Sequence, residues 1–358
     1  MSSLRAIFDE VDPLTVGLEE EIMLLDPVGL DLAPVASRIP GAKRELPASQ
    51  IELNTPPAAT VREAIASLAA QRHAAAEAAD GIARLAVAGV HPFAAPLGEL
   101  SSGDRYDNIA GEYGDVARAQ LVCALQVHVA VGSAERTLAV YNALRGYLPE
   151  LAALAANSPF LAGRDTGLAS VRALIGGLLP RQGVPPAFAS WEDYADALAW
   201  SVPEPGSWWW ELRPHLNFGT LELRVFDAQT TLEEAAALTA FAHCLVAWLA
   251  QRDDLDAPPS WRIAENRWAA LRYGVEASFK DLTSIAERPV RDVLLERVET
   301  LTPVAERLGC ADELALVSDI PARGASYQRQ RAVAERTGGD LVAVVDSVVT
   351  ELRDGLGQ

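Results

Sequence analysis

Residues 208–229 read WWWELRPHLNFGTLELRVFDAQ. Two extended runs flank a short Asn217-Phe218-Gly219 link, the pattern of an antiparallel hairpin. Side chains in a strand alternate between faces. Glu211 and Arg213 therefore share one face, and across the link so do Glu222 and Arg224. Leu221, Leu223 and Val225 take the opposite face and favour burial. A solvated face with cross-strand ion pairs is one reading of such charges. Three consecutive tryptophans, Trp208 to Trp210, flank them and point to a sheltered face instead. Buried charges need partners, and a phosphate with a metal ion suits carboxylates beside guanidinium groups. The hairpin is thus a candidate site.

Working outward, the same design recurs. Thr15 to Asp26 (TVGLEEEIMLLD) places Glu19 and Glu21 on one face and sets Glu20 among Leu18, Ile22 and Leu24. One of the three acids is awkwardly placed, and alternation alone does not say whether a bulge relieves it. In Ser49 to Thr55, Ile51 and Leu53 point one way and Glu52 and Asn54 the other. In Leu121 to Val131, Val127, Val129 and Val131 oppose Gln126 and His128. Five segments thus carry polar pairs at i, i+2 with apolar residues on the other side. Helices to cover the apolar face are plentiful. The implied object is an α+β protein: an antiparallel sheet with helices on one face and carboxylates, a histidine and arginines on the other.

The remaining chain supplies those helices. Thr60-x-x-Glu63 is a capping box opening an Ala-rich helix to about Arg84, and a short apolar strand, Leu85 to His91, follows. Residues 92–117, with Tyr106 and Tyr113 among acids and amides, lack periodicity and read as a lid. Helix resumes from Ala134 to Asn157 with a break at Pro149. The Gly-rich stretch 157–176 brings Arg164, Asp165 and Arg172 but matches no phosphate-binding loop. Ser190-x-x-Asp193 opens a short helix, and Thr231-x-x-Glu234 opens one reaching about Arg252. From about 231 the chain is mostly helical. The charges of ENRWAALRYG (265–274) and of Tyr327 to Arg331 read as solvated helix faces. No linker or repeat is visible, so residues 1–358 are expected to form one unit.

Of the 358 residues, half are apolar and 22% are charged, as in a globular protein. The formal net charge of −19 argues against nonspecific nucleic-acid binding. Cys123, Cys244 and Cys310 are odd in number and far apart, which speaks against a disulfide framework and fits a reducing cytosol. No basic start with an apolar run suggests a signal peptide. Ala235 to Ala250 falls short of the roughly 20 residues a membrane span needs and contains His243, so it reads as a core helix. A cytoplasmic protein without a membrane partner is expected.

Carboxylate oxygens without thiolates select hard cations, Mg²⁺ or Mn²⁺ ahead of Zn²⁺. Arginines would neutralise the rest of a phosphate's charge. The residues alone leave metal–nucleotide chemistry and metal-assisted hydrolysis both open.

A set of phrases narrows this. GLEEEIMLLDP (17–27), SQIELNTPP (49–57), QVHVAVG (126–132), NSPFLAGRDTGLASVR (157–172), WWWELRPH (208–215), GTLELRVFDAQT (219–230) and ENRWAALRYG (265–274) occur in this order. The chain resembles carboxylate–amine ligases of the glutamate–cysteine ligase type 2 group, within the glutamine-synthetase-like superfamily, over nearly its whole length. The resemblance implies an antiparallel sheet forming an open funnel with helices outside, and ATP- and Mg²⁺-dependent amide formation. ATP would phosphorylate a carboxylate, commonly the glutamate side chain, and an amine such as that of cysteine would attack the acyl phosphate.

The resemblance implies metal ligands at Glu19, Glu21, Glu52, Glu222 and His128. It places the transferring phosphates at Arg224 and Glu222, and substrate or acyl phosphate at Arg172 and Arg213, with Arg164 nearby. Catalysis would rest on Arg224 and Arg213. Family habit implies a homo-oligomer acting on small molecules. Gln126 stands where relatives often have His, Glu211 where Asp is common, and Ser326-Tyr327-Gln328 where Ala-Asp is more usual, which opens the question of substrate. The competing expectations are a metal-dependent hydrolase using the same acids and a non-catalytic nucleotide-binding relative.

Overall fold

The structure is a computed structural model and describes residues 2–201 and 208–357. Its strands are β1 (Val16–Leu25), β2 (Lys43–Arg44), β3 (Gln50–Asn54), β4 (Arg84–Ala86), β5 (Ala124–Ala130), β6 (Phe160–Leu161), β7 (Arg164–Asp165), β8 (Leu212–His215), β9 (Thr220–Asp227), β10 (Ser278–Lys280) and β11 (Glu287–Pro289). Helices α1 (Ser2–Glu10), α2 (Val61–Ala78), α3 (Asp104–Tyr113), α4 (Asp115–Arg118), α5 (Ala134–Leu144), α6 (Leu148–Ala155), α7 (Arg172–Gly176) and α8 (Trp191–Ser201) accompany them. The C-terminal part holds α9 (Leu232–Ala250), α10 (Ser260–Tyr273), α11 (Val290–Leu308), α12 (Ala311–Arg323), α13 (Ser326–Arg336) and α14 (Leu341–Gly355).

One antiparallel sheet runs in the order β2-β3-β1-β5-β9-β8, and β4 also pairs with β1. The five segments that carry polar pairs in the sequence are neighbours in this sheet. Its apolar side buries Leu18, Ile22, Leu24, Ile51, Leu53, Leu125, Val127, Val129, Leu221 and Leu223. Helices α2, α5, α6 and α9 pack on that side, and α10, α11 and α12 form a further layer over α6 and α9. Helix α9 is long and apolar enough by composition to cross a membrane, yet 83% of its apolar window is buried in the protein. It is a core helix, three residues longer than its apolar run suggests.

Two departures from strict alternation place the polar groups. The first is Glu20, fully buried on the core side of β1 without any bulge in that strand. Arg72 of α2 relieves it, donating from Nε and Nη2 at 2.7 and 2.5 Å. The second is a bulge in β9, where Arg224 and Val225 together oppose Gln126 of β5. Simple alternation from Glu222 would send Asp227 into the core side. The extra residue reverses the parity, so Phe226 pairs with Leu125 in the core and Asp227 joins the polar face.

The segment read as a structureless lid instead contains α3 and α4. Helix α3 buries none of its residues, which is why its periodicity is weak. Tyr106 from it donates to the Arg44 carbonyl at 2.7 Å.

Candidate active site

The sheet register sets the site. Glu21 lies opposite Glu52, Glu19 opposite Asn54 and Gln126, His128 opposite Glu222, and Glu222 opposite Arg213. Facing residues on adjacent strands stand about 5 Å apart at Cβ, so the four acids and the histidine expected as ligands occupy one continuous patch. Lys43 contacts Glu52, and Asn54 donates to it at 2.6 Å. Arg213 Nε donates to Glu222 at 2.5 Å, and Arg224 contacts the other oxygen of the same carboxylate. Arg224 also donates to Gln126 Oε1 at 2.6 Å, so it points into the patch and away from bulk water.

The electrostatics differ sharply among these acids. Glu222 is nearly fully buried, which alone would raise its carboxyl, but Arg224, Arg213 and His128 pull it far below the usual carboxylate range. Burial, then Glu52 and Glu222, push Glu19 up to about 7. Burial likewise raises Glu21, against Arg172 and Arg224. Its oxygens accept from the Ala124 amide at 2.6 Å and from Gln126 at 3.3 Å. Burial drives Glu45 well above the carboxylate range, helped by its hydrogen bond to Glu52, whose own carboxyl is held low by Glu45, Lys43 and Asn54 despite burial. Glu45 is thus the protonated partner and donates to Glu52. His128 is pushed down to about 4 by burial, with His215, Arg224 and Arg213 adding to the effect. Its ring is neutral, Nδ1 lies 3.0 Å from Thr220 Oγ1, and buried Nε2 has no hydrogen-bond partner and lies 3.6 Å from Glu19.

Beyond the patch, Arg172 sits at the start of α7, 3.8 Å from Asp227, and donates to the Arg224 carbonyl at 3.1 Å. Asp227 accepts from Ser158 at 2.7 Å, Ser170 at 2.9 Å and the Asn157 amide at 2.8 Å. A Cβ at Gly89 would come within 2.6 Å of that carboxylate, so only glycine allows the approach. Glu211 is buried against Arg267 of α10, with Nε donating to its two oxygens at 2.7 and 2.6 Å.

Two adjoining cavities open on this face. One, of about 140 Å³, is lined by Glu21, Glu45, Arg105, Arg172, Glu211 and Arg224. The other, of about 520 Å³, is mostly apolar, with Ile7, Val11, Val16 and Phe218 beside Glu19 and His128. The largest cavity, about 660 Å³ between α6, α9, α10 and α11, holds none of the expected ligands.

Among the described residues, no three His, Cys, Asp or Glu side chains already converge as a metal shell. The donor set nonetheless fits a hard cation. Mg²⁺ is commonly held by only one or two carboxylates plus substrate phosphates. An acid raised to about 7 and a buried, partnerless imidazole nitrogen are what a cation would relieve.

The structure therefore gathers Glu19, Glu21, Glu52, Glu222, His128, Arg213, Arg224 and Arg172. It does not gather Arg164. That residue is exposed in the β6–β7 hairpin, where the Ala162-Gly163 turn holds it at the solvated tip. The helix faces read as solvated are largely engaged: Arg267 pairs with Glu211, Arg272 contacts the Gly167 carbonyl, Arg329 donates to buried Glu234 and Gln330 to Asn157, while Glu265 is exposed. Glu45, Asp227 and Arg267 are site residues that sequence reading missed. The bulge hid Asp227. Arg267 lies inside a quoted motif. Lys43, beside Glu45, is one of only two lysines in the chain, a signal available from composition.

Comparison with known proteins agrees in family and in fold. The family model for glutamate-cysteine ligase family 2 matches residues 15–347. A protein of Nocardioides sp. provisionally named glutamate–cysteine ligase 2-3 is 41% identical, with 99% of this chain and 100% of that protein covered. A Rhodococcus jostii relative provisionally named glutamate–cysteine ligase 2-2 is 40% identical, with coverage of 94% and 96%. Among solved structures, glutamate–cysteine ligase of Francisella tularensis in complex with AMP superposes with a TM-score of 0.68 at 12% identity, covering 96% of this chain and 92% of that one. A bifunctional glutathione synthetase from Pasteurella multocida gives 0.70 at 16% identity, with 99% of this chain matched to 54% of that one. At such identities the structural likeness is one of fold.

Proposed function

The chain belongs to glutamate–cysteine ligase family 2, the ATP-dependent carboxylate–amine ligases, and we propose that it joins an amino-acid carboxylate, that of the glutamate side chain, to an amine such as that of cysteine through an acyl phosphate. A carboxylate is a poor acyl donor until one oxygen becomes part of a phosphate leaving group. ATP supplies that phosphate, its γ-phosphorus being attacked by the substrate carboxylate as ADP departs. The amine then attacks the acyl carbon, and inorganic phosphate leaves.

The observation that carries this reading is Glu222 clamped between Arg213 and Arg224 beside Glu19 and His128. Arg224 lies where it can neutralise charge on the transferring phosphoryl group, and fixed charges of this kind act strongly in a desolvated site. Glu19, Glu21, Glu52 and Glu222, with His128, would hold Mg²⁺ or Mn²⁺. The metal's contribution, when bound, is to screen phosphate charge and polarise the transferring group. The apolar cavity suits the nucleotide base, with Phe218 as a stacking surface. The polar cavity suits the carboxylate substrate, with Arg172 as counter-charge. We read the acid face as the wall of an open funnel, and the protein as a cytoplasmic homo-oligomer, which its acidity and free thiols support.

The test is ADP release by the purified protein with Mg²⁺ and ATP across pairs of amino acids and amines, with products identified by mass. Release requiring both partners supports the proposal. Turnover of an amide without ATP would replace it with a hydrolase, and nucleotide binding with no ADP formed from any pair would leave a non-catalytic relative.

A further inference from the structure

Cys244 and Cys310 are 66 residues apart in sequence, yet their sulfur atoms lie 3.5 Å apart, both fully buried. Cys244 sits inside α9, the helix beneath the sheet. Cys310 is the N-cap residue of α12, one residue after the end of α11. A histidine completes the group. His243 Nε2 faces the Leu14 carbonyl at 2.8 Å, so that nitrogen carries the proton and donates it. Nδ1 is then left as an acceptor, buried and without a hydrogen-bond partner. Cys310 thus has a thiol on one side, a basic ring nitrogen on the other and a helix N-terminus ahead of it, three features that favour a thiolate. The hydrogen bond from Cys244, and His243 after it, pull Cys310 below the usual thiol range against the effect of burial, while the same bond pushes Cys244 up. Cys123, by contrast, is raised by burial and has neither partner.

We propose that Cys244 and Cys310 are an oxidation site of the resting protein, closing to an intramolecular disulfide when a hydroperoxide reaches them. The Cys310 thiolate attacks one peroxide oxygen. The O–O bond breaks, hydroxide leaves, and Cys310 becomes a sulfenic acid. Cys244 sulfur then attacks the sulfenic sulfur, the S–O bond breaks, and the oxygen leaves as water with the Cys244 proton. Two thiols give up two electrons and one peroxide is reduced to two waters.

Geometry makes the closure local. A disulfide needs the sulfurs at about 2.05 Å, so they must approach by about 1.5 Å. Cys244 is held in a helix interior, but Cys310 belongs to the corner between α11 and α12. Its neighbour Gly309 has φ +68° and no atom within 4 Å of the position a side chain would take. Movement at that corner displaces neither helix body. The closed bond would tie the core helix to the outer helical layer and leave the acid face untouched, so the proposal stands apart from the ligase reading.

The experiment treats the reduced full-length protein with hydrogen peroxide, alkylates in denaturant, and maps the peptides by mass. The expected result is a Cys244–Cys310 linked peptide that disappears on reduction, with Cys123 alkylated as in the untreated protein. Cys244→Ser should stop the reaction one step earlier, leaving a sulfenic acid at Cys310 that dimedone traps. Cys244 and Cys310 still fully alkylated after peroxide would overturn the proposal, and so would dimedone labelling of Cys123 alone in the variant. The wild-type mapping decides the matter even if that variant does not fold.

Discussion

Arg72→Met should destabilise this protein far more than its place on a surface-facing helix suggests. The Arg72 side chain is 1% exposed and Glu20 beneath it 0%. Besides two bonds to Glu20, the guanidinium donates to the Thr230 carbonyl at 3.1 Å and the Gln229 carbonyl at 2.7 Å. Methionine keeps the volume but strands a carboxylate in the core and leaves two carbonyls without a donor. Breaking a buried ion pair from one side costs about 3–5 kcal/mol, and each orphaned acceptor adds about 1 kcal/mol or more. A loss of about 4–6 kcal/mol is a large part of a total stability of about 5–15 kcal/mol. Urea unfolding followed by far-UV circular dichroism measures it. The double variant Glu20→Leu, Arg72→Met should recover most of the loss, because two apolar groups can replace a buried pair. A single-variant loss under about 1 kcal/mol, or a double variant as unstable as the single one, would refute the claim that Glu20 is a core group. It would return all three glutamates of the triplet to the active face.

Other outcomes follow from the site. Arg224→Lys should lower kcat by about 10²–10³-fold, the usual cost of removing one preorganised charge donor, while unfolding stays close to wild type. Arg164→Ala should leave kcat/KM unchanged, since the residue is exposed outside the cluster; a substantial rise in KM for the carboxylate would contradict this placement. Glu234 is raised by burial but held below its ordinary range by Arg329 and Ser326. Its charged form therefore stabilises the fold above the ordinary carboxylate range, and that stability drains away as pH falls through the lowered folded value. Urea midpoints followed into acid should show a limb that Glu234→Gln flattens. Calorimetric titration of ATP should show no binding in chelator and measurable binding once Mg²⁺ is restored.

Alternation with period two carried the sequence reading to the correct neighbours, and it failed where a local exception ruled. Glu19, Glu21, Glu52, Gln126, His128, Glu222 and Arg224 were legible because each lies in a regular strand with apolar neighbours at odd offsets. Asp227 was not, because one extra residue in β9 reverses its side. Glu20 was visible as a misfit, but its solution came from α2. Arg72 stands there in register with buried Val61, Ala64, Leu68 and Ala75, and a charge within an apolar helical stripe is a signal that can be read without coordinates. Arg267 and Arg329 show the opposite bias. Charges on a helix are usually solvated, and only tertiary packing reveals a buried acid facing them. The nearness of Cys244 and Cys310 was beyond any pattern, because it depends on how α12 docks against α9.

The charge balance of the face also explains why so many acids surround a site that must accept a triphosphate. Glu19, Glu21, Glu45, Glu52, Glu211, Glu222 and Asp227 meet Lys43, Arg172, Arg213, Arg224 and Arg267. Proton uptake by Glu45, and by Glu19 near neutral pH, brings these groups close to neutrality without any bound cation. A polyphosphate entering that arrangement would meet no net positive charge, and anions desolvated without partners are costly. Divalent cations change both sides of the balance: they release the proton from Glu19, turn the raised carboxyls into ligands, and leave Arg224 and Arg213 as counter-charges for the phosphates. An ATP site built mainly of carboxylates is thus competent only as a metal site, and the elevated Glu19 is the local sign of the missing charge.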